Sequence, residues 1–147
     1  MIIKEFQGDH RWLSNFWPCR CYLYGELFPS TEHAYQASKL NVITQWEEFL
    51  RFANDPSITA GGSKKLIRKL APPHTSREES LDIMRSVLRH KFDKHINPEL
   101  HCKLKMTCDA ELIEGNYWGD KYWGVCLKTG VGENMLGKII MSIRDTL

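Results

Sequence analysis

Glu114-Gly115-Asn116-Tyr117-Trp118-Gly119-Asp120-Lys121-Tyr122-Trp123-Gly124, followed by Gly130-Val131-Gly132-Glu133-Asn134-Met135-Leu136-Gly137 and an apolar helix to about Arg144, is the stretch around which the chain is organised. It gathers six glycines, two tryptophans and one aspartate. Glycine lets backbone approach a ligand closely, and tryptophan offers a flat face to a base or a sugar. A polar residue that opens a helix after glycines presents backbone N–H groups to an anion. The segment is expected to form one wall of a nucleotide-like pocket and to carry a catalytic carboxylate.

At 147 residues the chain suits one domain, 1–147, with no internal repeat or low-complexity segment. Hydrophobic residues make up 42% and charged residues 26%, as in a soluble globular protein. A net charge of +2 is too small to argue for nucleic-acid binding and is compatible with a phosphate-bearing small molecule. Five cysteines, an odd number, together with an N-terminus that lacks a secretory pattern, predict reduced thiols and a cytoplasmic setting. Cys19 and Cys21 point to one face of a strand, but no second Cys/His pair with zinc-like spacing accompanies them, so no metal is expected. No apolar run approaches the roughly 18 residues that span a bilayer, so no membrane partner is expected either.

From the N-terminus, Met1 to Phe6 reads as a strand, Gly8-Asp9-His10 as a polar turn, and Cys19–Tyr24 as a strand turned back by Gly25-Glu26. Ser30 or Thr31 caps a helix to about Leu40, on which Glu32, Gln36 and Lys39 share one face. Trp46–Ala53 is amphipathic. Gly61-Gly62-Ser63 opens a basic helix, Lys64 to Leu70, either a phosphate cradle or a solvated charged face. Pro72-Pro73 breaks the chain, and Ser76 with Glu79 makes a capping box. Leu81, Met84, Leu88 and Phe92 form a core stripe, and Asn97-Pro98 starts a short helix. Leu112-Ile113-Glu114 and Tyr122 to Leu127 read as strands. The fold class is α+β: a predominantly helical single domain with small antiparallel strands.

Spacing excludes several chemistries. Gly130 and Gly132 are not followed by a glycine in the Rossmann register, Gly137-Lys138 lacks the serine or threonine of a P-loop, and no G-x-S-x-G occurs. What remains are carboxylates in aromatic settings: Glu32 at a helix start, Asp120 after Trp-Gly, and Glu114 near it. A pair of carboxyl groups held in different environments suits glycosidic cleavage through an oxocarbenium-like transition state. Asp120 reads equally as a turn residue bonding its own backbone, and Glu32 as a helix-dipole partner.

Ser14-Asn15-Phe16, Pro29-Ser30-Thr31-Glu32-His33-Ala34-Tyr35-Gln36-Ala37-Ser38-Lys39, Tyr117-Trp118-Gly119-Asp120 and Gly130-x-Gly132-x-Asn134-x-Leu136-Gly137, followed by Met141 and Arg144, resemble the NADAR (YbiA-like) superfamily. The resemblance runs from about residue 6 to residue 144. It implies a mainly helical α+β domain that hydrolyses N-glycosidic bonds with no cofactor. The substrate it implies is either ADP-ribosylated guanine in nucleic acid or a ribosylamino-pyrimidine phosphate of the riboflavin pathway. A non-catalytic ADP-ribose- or NAD-binding module is the alternative, and nucleic-acid binding through the Lys64–Lys69 helix a third reading.

The family's acidic positions fall on Glu32 and Asp120, which would divide acid/base work and oxocarbenium stabilisation. Asn15 and Gln36 would hold ribose hydroxyls, Tyr117 and Trp118 would stack on base or ribose, and Phe16 and His33 complete the contacts. Gly130, Gly132 and Asn134 would place backbone N–H groups on a phosphate, with Lys39 or Lys64 adding charge. The family's tryptophan eight residues before the methionine matching Met84 is here Ser76.

Overall fold

The run Cys21–Leu23 reverses into Glu26–Phe28 through Tyr24 and Gly25, which both take positive φ, 50° and 81°. Two successive left-handed residues give the tight hairpin turn whose twist matches its strands. A tyrosine held in that conformation is uncommon; here its ring stacks on Phe49, with centroids 5.8 Å apart. The computed structural model describes residues 1–71 and 76–147, so the break expected at Pro72-Pro73 lies outside the described residues.

In chain order the elements are β1 (Ile2–Ile3), a 3-10 turn (Gly8–Leu13), β2 (Cys21–Leu23), β3 (Glu26–Phe28), α1 (Thr31–Ala37), α2 (Trp46–Asn54) and α3 (Ala60–Leu70). They continue with α4 (Arg77–Lys91), α5 (Pro98–Met106), β4 (Glu111–Leu112), β5 (Gly115–Asn116), β6 (Val125–Cys126) and α6 (Met135–Arg144). The chain forms two compact units, residues 15–98 and residues 1–14 with 99–147. The α+β class stands, with helix dominant. Strand direction differs from the expectation: β2–β3 is antiparallel, but β1–β4 and β5–β6 are parallel. The antiparallel pair is joined by a two-residue turn, whereas β1 and β4 lie far apart in sequence and β5 and β6 are too short for local pattern to show their direction.

In the unit 15–98, α2 rests on the hairpin. Phe49 meets Phe28 edge-on at 5.2 Å and stacks with Trp46 at 5.1 Å. α3 starts at Ala60, one residue before the glycine pair, and Thr59 Oγ1 accepts the Gly62 amide at 2.9 Å. The glycines therefore lie inside the first turn, and one amide of the expected phosphate cradle is already engaged. Ser76 Oγ accepts the Glu79 amide at 3.1 Å, as a cap should. The buried stripe of α4 is Met84, Val87, Leu88 and Lys91, while Leu81 is half-buried.

In the unit 1–14 with 99–147, α6 buries Leu136, Ile139, Ile140 and Ile143 and packs on β4, whose Leu112 is fully buried. Among the described residues no helix is long and apolar enough to cross a membrane. Nor, among them, does any group of three or more His, Cys, Asp or Glu side chains sit where it could hold a metal.

Candidate active site

α1 is a seven-residue helix, and every one of its residues is buried. Its start is over-determined. Ser30 Oγ accepts the His33 amide at 3.1 Å, Glu32 donates its amide to the Asn15 carbonyl at 3.1 Å, and Thr31 Oγ1 donates to Asn15 Oδ1 at 2.9 Å. Asn15, expected to touch ribose, is 9% exposed and places its amide 3.5 Å from Met84 Sδ. Its side chain thus anchors the helix start.

His33, expected among the substrate contacts, has both ring nitrogens engaged inside the protein. Nε2 lies 2.7 Å from the Ile58 carbonyl, which can only accept, so Nε2 carries the proton. Nδ1 then accepts the Ser30 hydroxyl at 2.6 Å. The ring is a neutral strut between the start of α1 and the loop before α3, and burial lowers its pKa, opposed by the bond to Ile58. A histidine depressed in the folded state takes up its proton more readily unfolded. Stability should therefore be complete at neutral pH and fall as pH drops below the ordinary value of 6.5. Urea unfolding of wild type and His33→Gln between neutral pH and about pH 5 checks this: the wild type should lose more stability than the variant.

Glu32 is 7% exposed and its Oε1 accepts from Gln36 Nε2 at 2.8 Å. That bond fixes the Gln36 amide, since a carboxylate accepts from NH2 and not from C=O. Gln36 Oε1 is consequently buried with no hydrogen-bond partner among the described residues. An unsatisfied buried carbonyl costs roughly 1–3 kcal/mol unless a donor meets it. Lys39 is half-buried with Nζ 4.9 Å from the Tyr35 ring centre. Its pKa is lowered by burial first, then by Lys64 and Arg68 on α3, with Glu32 pulling the other way. Two cations of α3 and the buried carboxylate thus act on Lys39 together. Phe16 is 50% exposed, and its ring approaches Gly61 to 3.7 Å from where a Cβ would stand.

In the other unit Asn116 is the centre, a residue missed in the sequence reading. It is 1% exposed. Its Nδ2 donates to Glu114 Oε2 at 3.0 Å and to the Asp120 carbonyl at 2.9 Å, and its Oδ1 accepts the Asp120 amide at 3.0 Å. A polar residue directly after a glycine at a strand's edge was the one available signal. Asp120 is half-buried, and its Oδ1 accepts the Tyr122 and Trp123 amides at 3.1 and 3.0 Å, an Asx turn. The turn leaves Tyr117 and Trp118 59% and 61% exposed.

Of the three amides expected to form an anion seat, at Gly130, Gly132 and Asn134, those of Gly130 and Asn134 are engaged within the protein. Gly130 donates to the Cys126 carbonyl at 2.7 Å. Around the start of α6, Glu133, Asn134, Met135 and Leu136 donate to the carbonyls of Lys121, Gly124, Tyr122 and Trp123 at 2.7–3.2 Å. A Cβ on Gly132 would collide with the Gly124 carbonyl, and one on Gly137 with the Leu112 carbonyl. These glycines let backbone pass backbone. Asn134, at φ 53°, spends its side chain on the Glu114 amide at 2.9 Å and the Leu112 carbonyl at 2.9 Å.

Fold and sequence together place this chain: it belongs to the NADAR domain family, whose profile matches residues 3–147. It is similar to the N-glycosidase YbiA of Escherichia coli strain K12, 33% identical over 141 residues covering 95% of this chain and 82% of that protein. It is also similar to the riboflavin biosynthesis protein VVA0006 of Vibrio vulnificus, 35% identical over 145 residues; these are 97% of this chain but 37% of that longer protein. The NMR structure of E. coli YbiA superposes with a TM-score of 0.78 at 28% identity, covering 99% of this chain and 83% of that one. The chain's kin thus include named N-glycosidases, hydrolases of N-glycosyl bonds.

Proposed function

We propose that the protein hydrolyses the N-glycosyl bond between a phosphoribosyl or ADP-ribosyl group and a base, with Glu32 and Asp120 as its two working carboxyl groups. The observation that carries this reading is the enclosed Glu32–Gln36 pair, whose Gln36 carbonyl awaits a donor. A ribose hydroxyl is such a donor, and binding it relieves a buried unsatisfied acceptor. One carboxyl group gives its proton to the departing nitrogen as C1 gains oxocarbenium character. The other stabilises that charge and takes a proton from the water whose oxygen closes on C1. Bond and proton count balance: the base leaves protonated and the sugar gains the hydroxyl.

The cations Lys39, Lys64 and Arg68, rather than the amides at Gly130–Asn134, fit the substrate phosphate. Lys64→Met should raise KM several-fold for a phosphorylated substrate while changing kcat little. The wild-type KM should also rise with salt more steeply than that of the variant. Steady-state kinetics at two ionic strengths check this, and equal salt slopes would remove Lys64 from the site.

The test of the reaction is mass spectrometry of products from ADP-ribosylated guanosine DNA, NAD and a ribosylamino-pyrimidine phosphate. Release of free base from one of them supports hydrolysis. Ser76, a helix cap where the family's tryptophan stands, favours the second reading, a module that holds ADP-ribose without cleaving it. Calorimetric binding of ADP-ribose with no product from any substrate would establish that module and overturn hydrolysis.

A further inference from the structure

Cys19, Cys21 and Lys91 form a cluster for which the proposed hydrolysis has no use. Cys21 and Lys91 are both fully buried, and Cys19 is half-buried. Their placement follows from the backbone. Cys19 donates its amide to the Pro29 carbonyl at 3.0 Å and Cys21 lies opposite Phe28, so residues 19–21 run extended along one edge. In an extended chain residues two apart face the same way.

That edge is fastened to the end of α4. Tyr22 donates its amide to His90 Nδ1 at 3.0 Å, and Asn97 bonds the Arg20 amide at 3.0 Å and the Arg20 carbonyl at 2.7 Å. Lys91, the residue after His90, is thereby set within electrostatic reach of both thiols.

The Cys21 thiol has two acceptors within reach: the Ser30 carbonyl at 3.3 Å and the Cys19 sulfur. One S–H hydrogen serves one of them at a time. When Cys19 is neutral the carbonyl is the better acceptor; when Cys19 is a thiolate the charged sulfur is. A buried ammonium favours an anion beside it, and a Cys19 thiolate is one that acts on Lys91. The electrostatics agree with this division. The hydrogen bond from Cys21 lowers the Cys19 pKa against its burial, and Lys91 adds to the effect. The same bond, and burial, raise that of Cys21. Burial lowers Lys91 to about 8, with the thiols opposing.

We propose that Cys19 and Cys21 are a reversible oxidation site, in which Cys19 reacts with a hydroperoxide as the Lys91-stabilised nucleophile and Cys21 resolves the product as a disulfide. The Cys19 thiolate attacks one peroxide oxygen and the O–O bond breaks. One oxygen stays on sulfur as the sulfenic acid, and the other leaves as hydroxide and becomes water. The Cys21 sulfur then displaces that hydroxyl as a second water, so two thiols and one hydrogen peroxide give one disulfide and two waters. Two residues of extended chain separate the α-carbons by about 6.6 Å, at the upper end of the range a disulfide spans. A bridge formed under that constraint is readily reduced again.

The experiment uses the full chain with the two exposed cysteines removed, Cys102→Ser and Cys108→Ser. After dilute hydrogen peroxide and alkylation of remaining thiols, peptide mapping should find residues 19 and 21 joined, unalkylated and restored by dithiothreitol. Adding Cys21→Ser should leave a sulfenic acid on Cys19 that dimedone traps. Lys91→Met should slow alkylation of Cys19 at neutral pH several-fold. If Lys91→Met does not fold, the pH–rate profile of Cys19 alkylation in the parent chain decides. A midpoint below that of the urea-unfolded chain supports the site, and an equal midpoint overturns it. Peroxide treatment that leaves both thiols free to alkylate, or that carries Cys19 to the sulfinic acid with no 19–21 bridge, also overturns it.

Discussion

Glu32→Gln should lower kcat about a hundredfold or more, the usual loss when a positioned acid or base is removed, while leaving the protein folded. The substitution keeps an oxygen where Glu32 Oε1 accepts from Gln36 Nε2, and it keeps the volume of a residue that is 7% exposed. What it removes is the ability to hold or deliver a proton, and the negative charge that acts on Lys39. A hundredfold corresponds to about 2.7 kcal/mol of transition-state stabilisation. Product formation by chromatography, beside thermal melts of both proteins, is the measurement. An unchanged kcat with an unchanged melt removes Glu32 from the chemistry. A collapsed melt means that its charge is needed by the fold instead.

Asn116→Ala should destabilise the protein by about 3 kcal/mol, because it removes three hydrogen bonds of a half-buried turn at roughly 1 kcal/mol each. The Asp120 amide and carbonyl and the Glu114 carboxylate each lose a hydrogen bond at once. The turn that presents Asp120 would slacken with them, so turnover should fall along with stability. Trp118→Ala is the control. Trp118 is 61% exposed in the same loop, and exposed changes rarely move stability by more than about half a kcal/mol. Urea unfolding curves compare the three proteins. A cost below about 1 kcal/mol for Asn116→Ala would show that water replaces the lost bonds.

Where structure depends on neighbours in sequence, the residues announced it. Ser30 before Thr31-Glu32 gave a capped helix start, Ser76 with Glu79 another, and Gly25 the hairpin. The expected core face of α6 is the buried one. Where structure depends on distant partners, the residues were silent or misleading. Strands of two residues, β1 with β4 and β5 with β6, carry too little alternation to declare a direction.

Gly132 looked like an opening for a ligand because a missing side chain admits any close approach. Only the folded chain shows that the Gly124 carbonyl fills that opening. Lys91, which the sequence reading passed over, sits in a basic helix end, and α4 packs against a strand some seventy residues earlier. At Glu32 the sequence marked the residue, but not that the Gln36 carbonyl would lack a partner among the described residues.

The enclosure of α1 also bears on the order of events when the chain folds. Seven residues are too few to hold a helix alone in water, and α1 packs against α2, α3 and α4 within its own unit. It can become stable only once those longer helices have docked around it. On refolding from urea, ellipticity should therefore recover before the environment of Glu32 does. Catalytic competence then becomes the last property regained, so an activity assay started during refolding times the closing step of assembly rather than the appearance of helix.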